Sequence, residues 1–351
     1  MSKYWSDAVH RLKPYVPGEQ PRDMQFVKLN TNENPYPPSA RALSRLKELA
    51  GEDLRRYPDP QGTELKDAIA AYYALQRENL FVGNGSDEIL ALAFYSFFQR
   101  QGPVLFSDIT YSFYDVYCNF YDIRCERIPL RDDFQIALED YERPNGGIVL
   151  ANPNALTGRY LAPERIEALL KKQTETVVLV DEAYIDFGGQ SCVNLIGAYP
   201  NLLVVQTFSK SRSLAGLRVG FAMGDAPLIE GLVRAKDSFN SYPLDRLALA
   251  GAVEAIRDAA TFEDNRRKVI DTRRRVVAEL ERLNFSVIPS KANFICIRHK
   301  NARAADLFRQ LKQRGILVRY FDAPRVDNYL RVTIGTESEM NRFLQVLKEL
   351  L

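Results

Sequence analysis

Lys210 lies in a segment whose residue types could bind an aldehyde cofactor. The segment runs Thr207-Phe-Ser-Lys-Ser-Arg-Ser-Leu-Ala-Gly-Leu-Arg218-Val-Gly220 and follows the apolar stretch Leu202 to Gln206. That stretch predicts a buried strand, so the lysine falls at the strand's carboxyl end, where open α/β sheets place their chemistry. The amine could form an imine with the aldehyde, while its hydroxyl neighbours and Arg218 hold a phosphate. The alternative is an ordinary solvated surface lysine.

Asp181 and Tyr184 follow a second predicted strand, Val177 to Val180. Carboxyl ends of parallel strands share one edge of a sheet, which would bring both side chains near Lys210. A carboxylate facing a pyridine nitrogen keeps the ring protonated, and a protonated ring withdraws electrons from an attached carbanion. Tyr184 could hydrogen-bond a ring hydroxyl. Taken alone, Asp181 could equally cap the turn that follows it.

Two further segments have residues suited to a phosphorylated ring. The turn Gly83-Asn-Gly-Ser-Asp-Glu88 follows a strand and opens a helix, where free backbone amides attract phosphate. Its two acidic residues favour the helix dipole and could point away from the phosphate. Tyr111 follows a strand that begins at Val104 and could stack on the ring. In a chain with 18 tyrosines, a core or surface aromatic is the alternative.

Composition narrows the class of protein. A chain of 351 residues with 46% hydrophobic and 26% charged residues predicts a globular protein of two domains, and the net charge of +2 favours neither nucleic acid nor membrane as partner. The chain contains no apolar run of roughly 18 residues and no signal-peptide pattern, and its four cysteines are unpaired in sequence, which together predict a cytoplasmic protein. With only two histidines, a multi-histidine metal site is excluded and lysine becomes the expected base.

Strands alternate with helices through the middle of the chain, which predicts a mainly parallel sheet covered by helices on both faces. An amphipathic helix is expected from Thr63, as N-cap, to Leu75, and another from Phe262 to Leu283. We predict an N-terminal arm and part of a small domain over residues 1–48, a large domain over 49–245, and a small C-terminal α+β domain over 246–351.

The order and spacing of these motifs strongly resemble the fold-type I, pyridoxal-phosphate-dependent aminotransferases over nearly the whole chain. The resemblance is carried by Leu12-Lys-Pro-Tyr-Val-Pro-Gly18, Leu29-Asn-Thr-Asn-Glu-Asn-Pro35, Arg56-Tyr-Pro-Asp59, Gly83 to Glu88, Asp181-Glu-Ala-Tyr184, Ser209 to Arg218 and Leu330-Arg-Val-Thr-Ile-Gly335. The arm, with Pro14-Tyr15 and Asn32-Glu-Asn-Pro35, resembles the histidinol-phosphate branch. The implied fold is aspartate-aminotransferase-like. The implied reaction transfers an amino group from histidinol phosphate to 2-oxoglutarate in histidine biosynthesis.

The resemblance also implies roles for particular residues. Lys210 would carry pyridoxal 5'-phosphate and move the proton, Asp181 would pair with the ring nitrogen, Tyr184 would contact the ring hydroxyl, and Tyr111 would stack on the ring. Residues expected around the cofactor phosphate are Gly85, Ser86, Thr207, Ser209 and Arg218. Tyr57 would reach the phosphate of the neighbouring subunit, which makes a homodimer the catalytic unit.

The substrate residues implied by the resemblance are Tyr15, Asn32, Arg319 and Arg331. Arg331 matches the carboxylate-binding arginine of the family, and Arg319 is a second candidate for binding an anion. A surface ion pair or a solvated strand end is the alternative for either arginine.

One turn departs from the family pattern. Ala155 and Leu156 stand where Asn and Pro are common, in Asn152-Pro-Asn-Ala-Leu-Thr-Gly158. Ala155 cannot donate the hydrogen bond that the usual asparagine makes to the ring hydroxyl, so either Asn154 takes over or Tyr184 acts alone.

Three other functions stay open at this point. An aromatic amino acid aminotransferase and a phosphothreonine-type decarboxylase of the same fold would use Lys210 and Asp181 identically. A non-catalytic cofactor-sensing module of a transcription regulator would need a DNA-binding segment, which neither the charge nor the short arm supplies.

Overall fold

A computed structural model describes residues 2–15, 18–20 and 26–351 of the chain. Val16 and Pro17 of the predicted arm motif, and residues 21–25 of the predicted arm, lie outside the described residues. The strands are β1 (Val27–Lys28), β2 (Leu80–Asn84), β3 (Val104–Ser107), β4 (Cys125–Ile128), β5 (Gly147–Ala151), β6 (Val178–Asp181), β7 (Leu202–Thr207), β8 (Val219–Gly224), β9 (Phe285–Ile288), β10 (Phe294–His299), β11 (Ile316–Leu317), β12 (Arg319–Tyr320) and β13 (Leu330–Thr333). The helices are α1 (Asp7–Arg11), α2 (Ala40–Leu49), α3 (Thr63–Tyr73), α4 (Gly85–Phe97), α5 (Phe113–Tyr121), α6 (Pro163–Leu170), α7 (Ala226–Phe239), α8 (Arg246–Arg257), α9 (Ala259–Arg282), α10 (Ala304–Gln313) and α11 (Glu337–Leu350).

The larger sheet has the strand order β2-β8-β7-β6-β5-β3-β4. Strands β7, β6, β5, β3 and β4 run parallel to one another, whereas β8 is antiparallel to both β7 and β2. The predicted fold class, with its mainly parallel sheet, is confirmed. Because β8 alone is reversed among these strands, its first residue lies at the same edge as the last residues of the others.

Both faces of this sheet are buried, which explains why its strands are apolar without alternation. In β5, Ile148 and Leu150 join a core cluster that also contains residues of α3, α6 and α8. Val149 and Ala151 face the other way, toward a cluster with residues of α4, α5 and α7. The helices therefore cover the sheet on both sides, as predicted.

The beginning of α3 differs from the prediction. Its N-cap is Gly62, in the left-handed conformation with φ of 57°, and Thr63 is the first helical residue. The Asp59 carboxylate accepts hydrogen bonds from the Gln61 and Thr63 amides at 2.9 and 2.7 Å. The prediction of Thr63 as N-cap was wrong because a side chain four residues earlier satisfies the helix's first amides.

A smaller antiparallel sheet, ordered β12-β13-β10-β9, lies inside the predicted small domain. Strand β1 of the arm pairs in parallel with β11, and the Thr333 amide donates to the Leu29 carbonyl at 3.0 Å. The arm is thereby attached to the small domain, and the chain just after Leu29 lies beside β13. The domain boundaries at 48/49 and 245/246 stay predictions. In the part of the chain that the structure describes, no helix is both long and apolar enough to cross a membrane.

Candidate active site

The carboxyl ends of β2, β3, β5, β6 and β7 surround a cavity of about 390 Å³. The arm after β1 and the strands β12 and β13 close its other side. The predicted site residues that line it are Tyr15, Asn32, Ser86, Tyr111, Asp181, Tyr184, Thr207, Ser209, Lys210, Arg218, Arg319 and Arg331. The structure therefore brings residues from six strands and the arm to one place.

Lys210 follows β7 and reaches into the cavity. Its Nζ donates to the Thr31 carbonyl at 3.3 Å and lies 5.7 Å from the centre of the Tyr184 ring. The Asn34 side-chain amide donates to the carbonyls of Lys210 and Ser211 at 2.9 and 3.3 Å. The arm consequently holds both the backbone and the amine of this lysine.

Asp181 ends β6 with its carboxylate buried. The Tyr114 hydroxyl donates to one oxygen at 2.8 Å and the Ala183 amide to the other at 3.2 Å. Burial raises the pKa of Asp181 to about 6, although both hydrogen bonds act in the opposite direction. At neutral pH the group is a desolvated carboxylate, which would bind a protonated ring nitrogen more strongly than a solvated one.

Glu182, the next residue, points away from the cavity because successive side chains of a strand alternate. It accepts hydrogen bonds from the Cys192 amide at 2.7 Å, the Gln206 side chain at 2.8 Å and the Ser191 hydroxyl at 2.5 Å. Two adjacent buried carboxylates thus serve different parts of the molecule.

Glycines at the start of α4 and β8 make room for an anion-binding group. Gly85 has a φ of +75°, and a Cβ there would lie 2.4 Å from Nη2 of Arg218. A Cβ on Gly220 would lie 2.5 Å from the Ser86 amide nitrogen. Only glycine at both positions lets the guanidinium and the first amides of α4 approach each other, as a phosphate site requires.

The acidic residues of this turn have different positions. Glu88 accepts a hydrogen bond from the Asn84 amide at 2.6 Å and does not line the cavity. Asp87 does line it, accepting from the Tyr111 hydroxyl at 2.8 Å and from Arg218 at 3.1 Å. The expectation that acidic side chains point away thus fits Glu88 and not Asp87, which joins Tyr111 to Arg218.

The end of the cavity formed by β12 and β13 contains Arg331 and Arg319, which face each other across these strands. Arg331 donates to the carbonyls of Ala155 and Asn30, both at 3.2 Å, and its buried Nε has no partner. Burial lowers the pKa of Arg331. Both guanidinium carbons lie within 5.4 Å of the Phe321 ring centre. These two cations supply unused hydrogen-bond donors to a bound anion.

Tyr15 forms the outer wall of this end. Its ring lies 4.8 Å from that of Phe113, centre to centre, and 36% of the side chain is exposed. It therefore combines a supported ring with a hydroxyl near the arginines.

Three predicted residues do not line the cavity. Gly85 acts through its backbone and its lack of a side chain. The Asn154 side chain donates to the Ile109 carbonyl at 2.9 Å and accepts from the amides of Leu156 and Thr157 at 3.0 Å, so it holds its own turn. Tyr57 is 79% exposed and stacks on Tyr242.

Several residues of the site escaped sequence reasoning. Tyr114 is three residues beyond Tyr111, one helical turn on, yet its pairing with Asp181 depends on how α5 packs. Asp87 lay inside the Gly83 to Glu88 turn, where acidic residues were expected to favour the helix dipole, and Phe321 lay in none of the motifs. Thr31 could have been found from the sequence, since it lies in the motif Leu29 to Pro35 directly before Asn32.

The cavity fits the phosphorylated pyridine aldehyde that the family resemblance implies. The glycine cradle with Arg218 suits its phosphate, Tyr111 its ring face, Asp181 its ring nitrogen and Lys210 its aldehyde. The partnerless Nε of Arg331 remains for a second, substrate anion.

Comparisons with known proteins show which family the chain belongs to. The model of the family "Aminotransferase class I and II" matches residues 24–347. Histidinol-phosphate aminotransferase 1 of Hydrogenovibrio crunogenus is 55% identical over 351 residues, which cover 100% of this chain and 99% of that protein. Histidinol-phosphate aminotransferase of Clostridium acetobutylicum is 54% identical over 349 residues, covering 99% of each chain.

A solved structure is similar in fold. The crystal structure of histidinol-phosphate aminotransferase from Sinorhizobium meliloti, in complex with pyridoxal-5'-phosphate, superposes with a TM-score of 0.87 at 22% identity. The match covers 100% of this chain and 99% of that one.

Proposed function

This chain belongs to the class I and II aminotransferase family, and on that premise we propose that it transfers the amino group of histidinol phosphate to 2-oxoglutarate. The products are imidazole-acetol phosphate and glutamate, and the reaction is a step of histidine biosynthesis. The observation that carries the proposal is one cavity with Lys210 and Asp181 at one end and two arginines at the other. The full-length identity to the histidinol-phosphate aminotransferases of two bacteria supports this substrate.

Pyridoxal 5'-phosphate is the proposed cofactor, and its phosphate would be held by the amides at the start of α4, by Ser86, Thr207 and Ser209, and by Arg218. Tyr111 would cover the ring, and Tyr184 would donate a hydrogen bond to its hydroxyl. When bound, the cofactor supplies an aldehyde that accepts the amine and a protonated ring that withdraws electrons.

Lys210 acts as the base of the reaction. Its Nζ removes the proton from the amine-bearing carbon of the substrate and holds that proton until a later step of the reaction returns it. The Thr31 carbonyl, which accepts a hydrogen bond from Nζ at 3.3 Å, keeps the amine turned toward the cavity. The Asp181 carboxylate would hold a proton at the ring nitrogen of the cofactor, and Tyr114 keeps that carboxylate in place through its 2.8 Å hydrogen bond.

The substrate end binds one anion at a time. Arg331 and Arg319 can form forked hydrogen bonds with the carboxylate of glutamate and, in the other half of the reaction, with the phosphate of histidinol phosphate. Phe321 lies against both guanidinium groups. Arg331 is the desolvated one of the two cations, and a desolvated cation binds an anion more strongly than a solvated one.

We further propose that a homodimer in the cytoplasm is the catalytic unit, with Tyr57 reaching the cofactor phosphate of the partner subunit. Tyr57 is 79% exposed in the single chain, and the neighbouring Tyr242 supports its ring at 4.7 Å. An exposed, pre-ordered phenol suits a contact across an interface. The four cysteines are free thiols, as expected in a reducing compartment.

A substrate comparison tests the proposed activity. We expect turnover with histidinol phosphate to exceed turnover with phenylalanine, and no release of carbon dioxide from phosphothreonine. Preference for phenylalanine would indicate an aromatic aminotransferase, and carbon dioxide release would indicate the decarboxylase. Binding of cofactor without turnover of any amine would favour the sensing module.

Replacing the lysine tests the mechanism. Lys210→Ala should lower turnover by roughly 10⁴-fold, because the general base is removed, and should abolish the cofactor absorbance that depends on covalent attachment. Normal turnover by this variant would contradict the assignment.

A further inference from the structure

A chain of hydrogen bonds connects the small domain to Tyr184. The Asn32 backbone amide donates to the Thr333 hydroxyl at 3.0 Å, and that hydroxyl donates to Oδ1 of Asn32 at 3.1 Å. The Asn32 side-chain amide then donates to the Tyr184 hydroxyl oxygen at 3.1 Å. Thr333 lies in β13 and is 301 residues away from Asn32 in the sequence.

The Asn32 backbone amide determines which group donates in each of these hydrogen bonds. A backbone N–H can only donate, so the Thr333 oxygen accepts from it and directs its own proton to Oδ1 of Asn32. The Asn32 amide must then present its NH₂ group to Tyr184. Because the phenol oxygen accepts that hydrogen bond, its proton is free to point into the cavity.

Asn32 has little freedom to leave this arrangement. Its φ of 55° lies in the left-handed region, which residues other than glycine adopt only when their surroundings hold them there. The Asn293 side chain donates to its carbonyl at 2.9 Å, and Asn32, Asn293 and Thr333 are each at most 3% exposed. Because these side chains are buried, water cannot replace a hydrogen bond that is lost among them.

The Tyr184 proton matters more in this protein because the turn at residues 152–158 offers no other donor to the ring hydroxyl. Ala155 has no side-chain donor, and the Asn154 amide already donates to the Ile109 carbonyl at 2.9 Å. A phenol turned the wrong way would leave the ring hydroxyl of the cofactor without this donor.

We infer that Thr333 is a positioning residue which, through Asn32, orients the Tyr184 hydroxyl so that it donates to the ring oxygen of the bound cofactor. The inference rests on the proposed function, since it needs that cofactor. Without the threonine hydroxyl, the Asn32 amide can turn over and accept the Tyr184 proton, which removes it from the cavity.

The absorption band of the holoenzyme provides the test, because it reports protonation of the nitrogen that joins the cofactor to Lys210. A donor to the ring oxygen reduces the negative charge that otherwise holds a proton on this nitrogen. Thr333→Val should therefore raise the pH midpoint of the band by about half a unit to one unit. The other ionisable groups around Lys210 are unchanged in this variant: Glu33 of the arm and, in the cavity, Tyr15, Asp87, Tyr111, Asp181, Tyr184, Arg218, Arg319 and Arg331.

Three variants separate positioning from a general loss of stability. Thr333→Ser keeps the hydroxyl and should titrate like the wild type. Thr272→Val removes another buried hydroxyl of the small domain, one that donates to the Glu337 carboxylate at 2.6 Å and does not line the cavity. This variant should also titrate like the wild type. If Thr333→Val does not fold, Thr333→Ala also removes the hydroxyl and should give the same upward shift.

The double variant decides whether the effect passes through the phenol. Adding Thr333→Val to Tyr184→Phe should cause no further shift, because the group it orients is already absent. An unchanged midpoint in Thr333→Val, or a further shift in the double variant, would overturn the inference. A wild-type protein that shows no titrating band with the cofactor would overturn the proposed function itself.

Discussion

The end of the cavity proposed to hold the cofactor is formed by side chains that bond to one another, whereas the end proposed to bind the substrate presents cations with donors to spare. At the cofactor end, Asp87 joins Tyr111 to Arg218, and Tyr114 holds Asp181 at 2.8 Å. At the substrate end, Arg331 makes two hydrogen bonds of 3.2 Å to backbone carbonyls. The difference suits their tasks, because one end would keep a single cofactor while the other exchanges two different anions.

Rigidity also has different sources at the two ends. The cofactor end lies on the strand ends of the seven-stranded sheet, whose two faces are buried. The substrate end is built from the short strands β12 and β13 and the arm, with Tyr15 partly exposed. We therefore expect changes at the first end to affect turnover or cofactor binding, and changes at the second to affect substrate affinity.

Among the variants that compare the two ends, the largest effect should come from Asp181→Asn. An amide cannot hold the ring proton as a carboxylate does, so kcat should fall by roughly 10² to 10³-fold. The matched control is Glu182→Gln, which alters the adjacent buried carboxylate that faces away from the cavity. That variant should lower the melting temperature while kcat stays near the wild-type value. Equal losses of kcat in both would remove the distinction between the two carboxylates.

Gly85→Ala should weaken the affinity of the apoenzyme for pyridoxal phosphate. The new Cβ would lie 2.4 Å from Nη2 of Arg218, at a φ that disfavours alanine. Strain of about 1–3 kcal/mol corresponds to a loss of affinity of roughly 5- to 150-fold. Gly216→Ala is the control, since a Cβ there has no atom within 4 Å. Titration of apoenzyme with cofactor measures both, and similar affinities would argue against the glycine cradle.

Arg331→Gln should raise KM for glutamate and 2-oxoglutarate by about 10- to 100-fold, because charged hydrogen bonds contribute roughly 1.5–3 kcal/mol. Cofactor affinity should not change. Arg319→Gln, measured beside it, shows how much each arginine contributes to binding the carboxylate and the phosphate. If cofactor affinity falls while KM rises, then the two ends of the cavity are not independent.

The smallest effect is expected for Tyr15→Phe. The ring and its contact with Phe113 remain, and one hydrogen bond of about 1 kcal/mol to the substrate anion is lost. We expect KM for histidinol phosphate to rise by roughly five-fold with kcat unchanged. A change in kcat instead would move Tyr15 from substrate binding to the chemistry.

Sequence reasoning was strongest where function depends on the end of a strand. Lys210, Asp181 and Arg218 could be placed together because apolar runs predict strands, and parallel strands share an edge. It was weaker where one side chain could either bind a cofactor or hold the local backbone. Asn154 lay in a motif expected to bind the cofactor, yet the structure shows that its amide holds the turn, which the motif alone cannot distinguish.

The sequence by itself determined the strands, the residues at their ends and, through the order of its motifs, the aminotransferase family. These are local properties, set by hydrophobic periodicity and by the chemistry of single side chains. Tertiary structure alone decided that Tyr114 supports Asp181, that Asp87 faces the cavity and that Thr333 reaches Asn32. Such hydrogen bonds depend on the packing of elements far apart in the chain, and their distances and directions leave no periodic trace in the sequence.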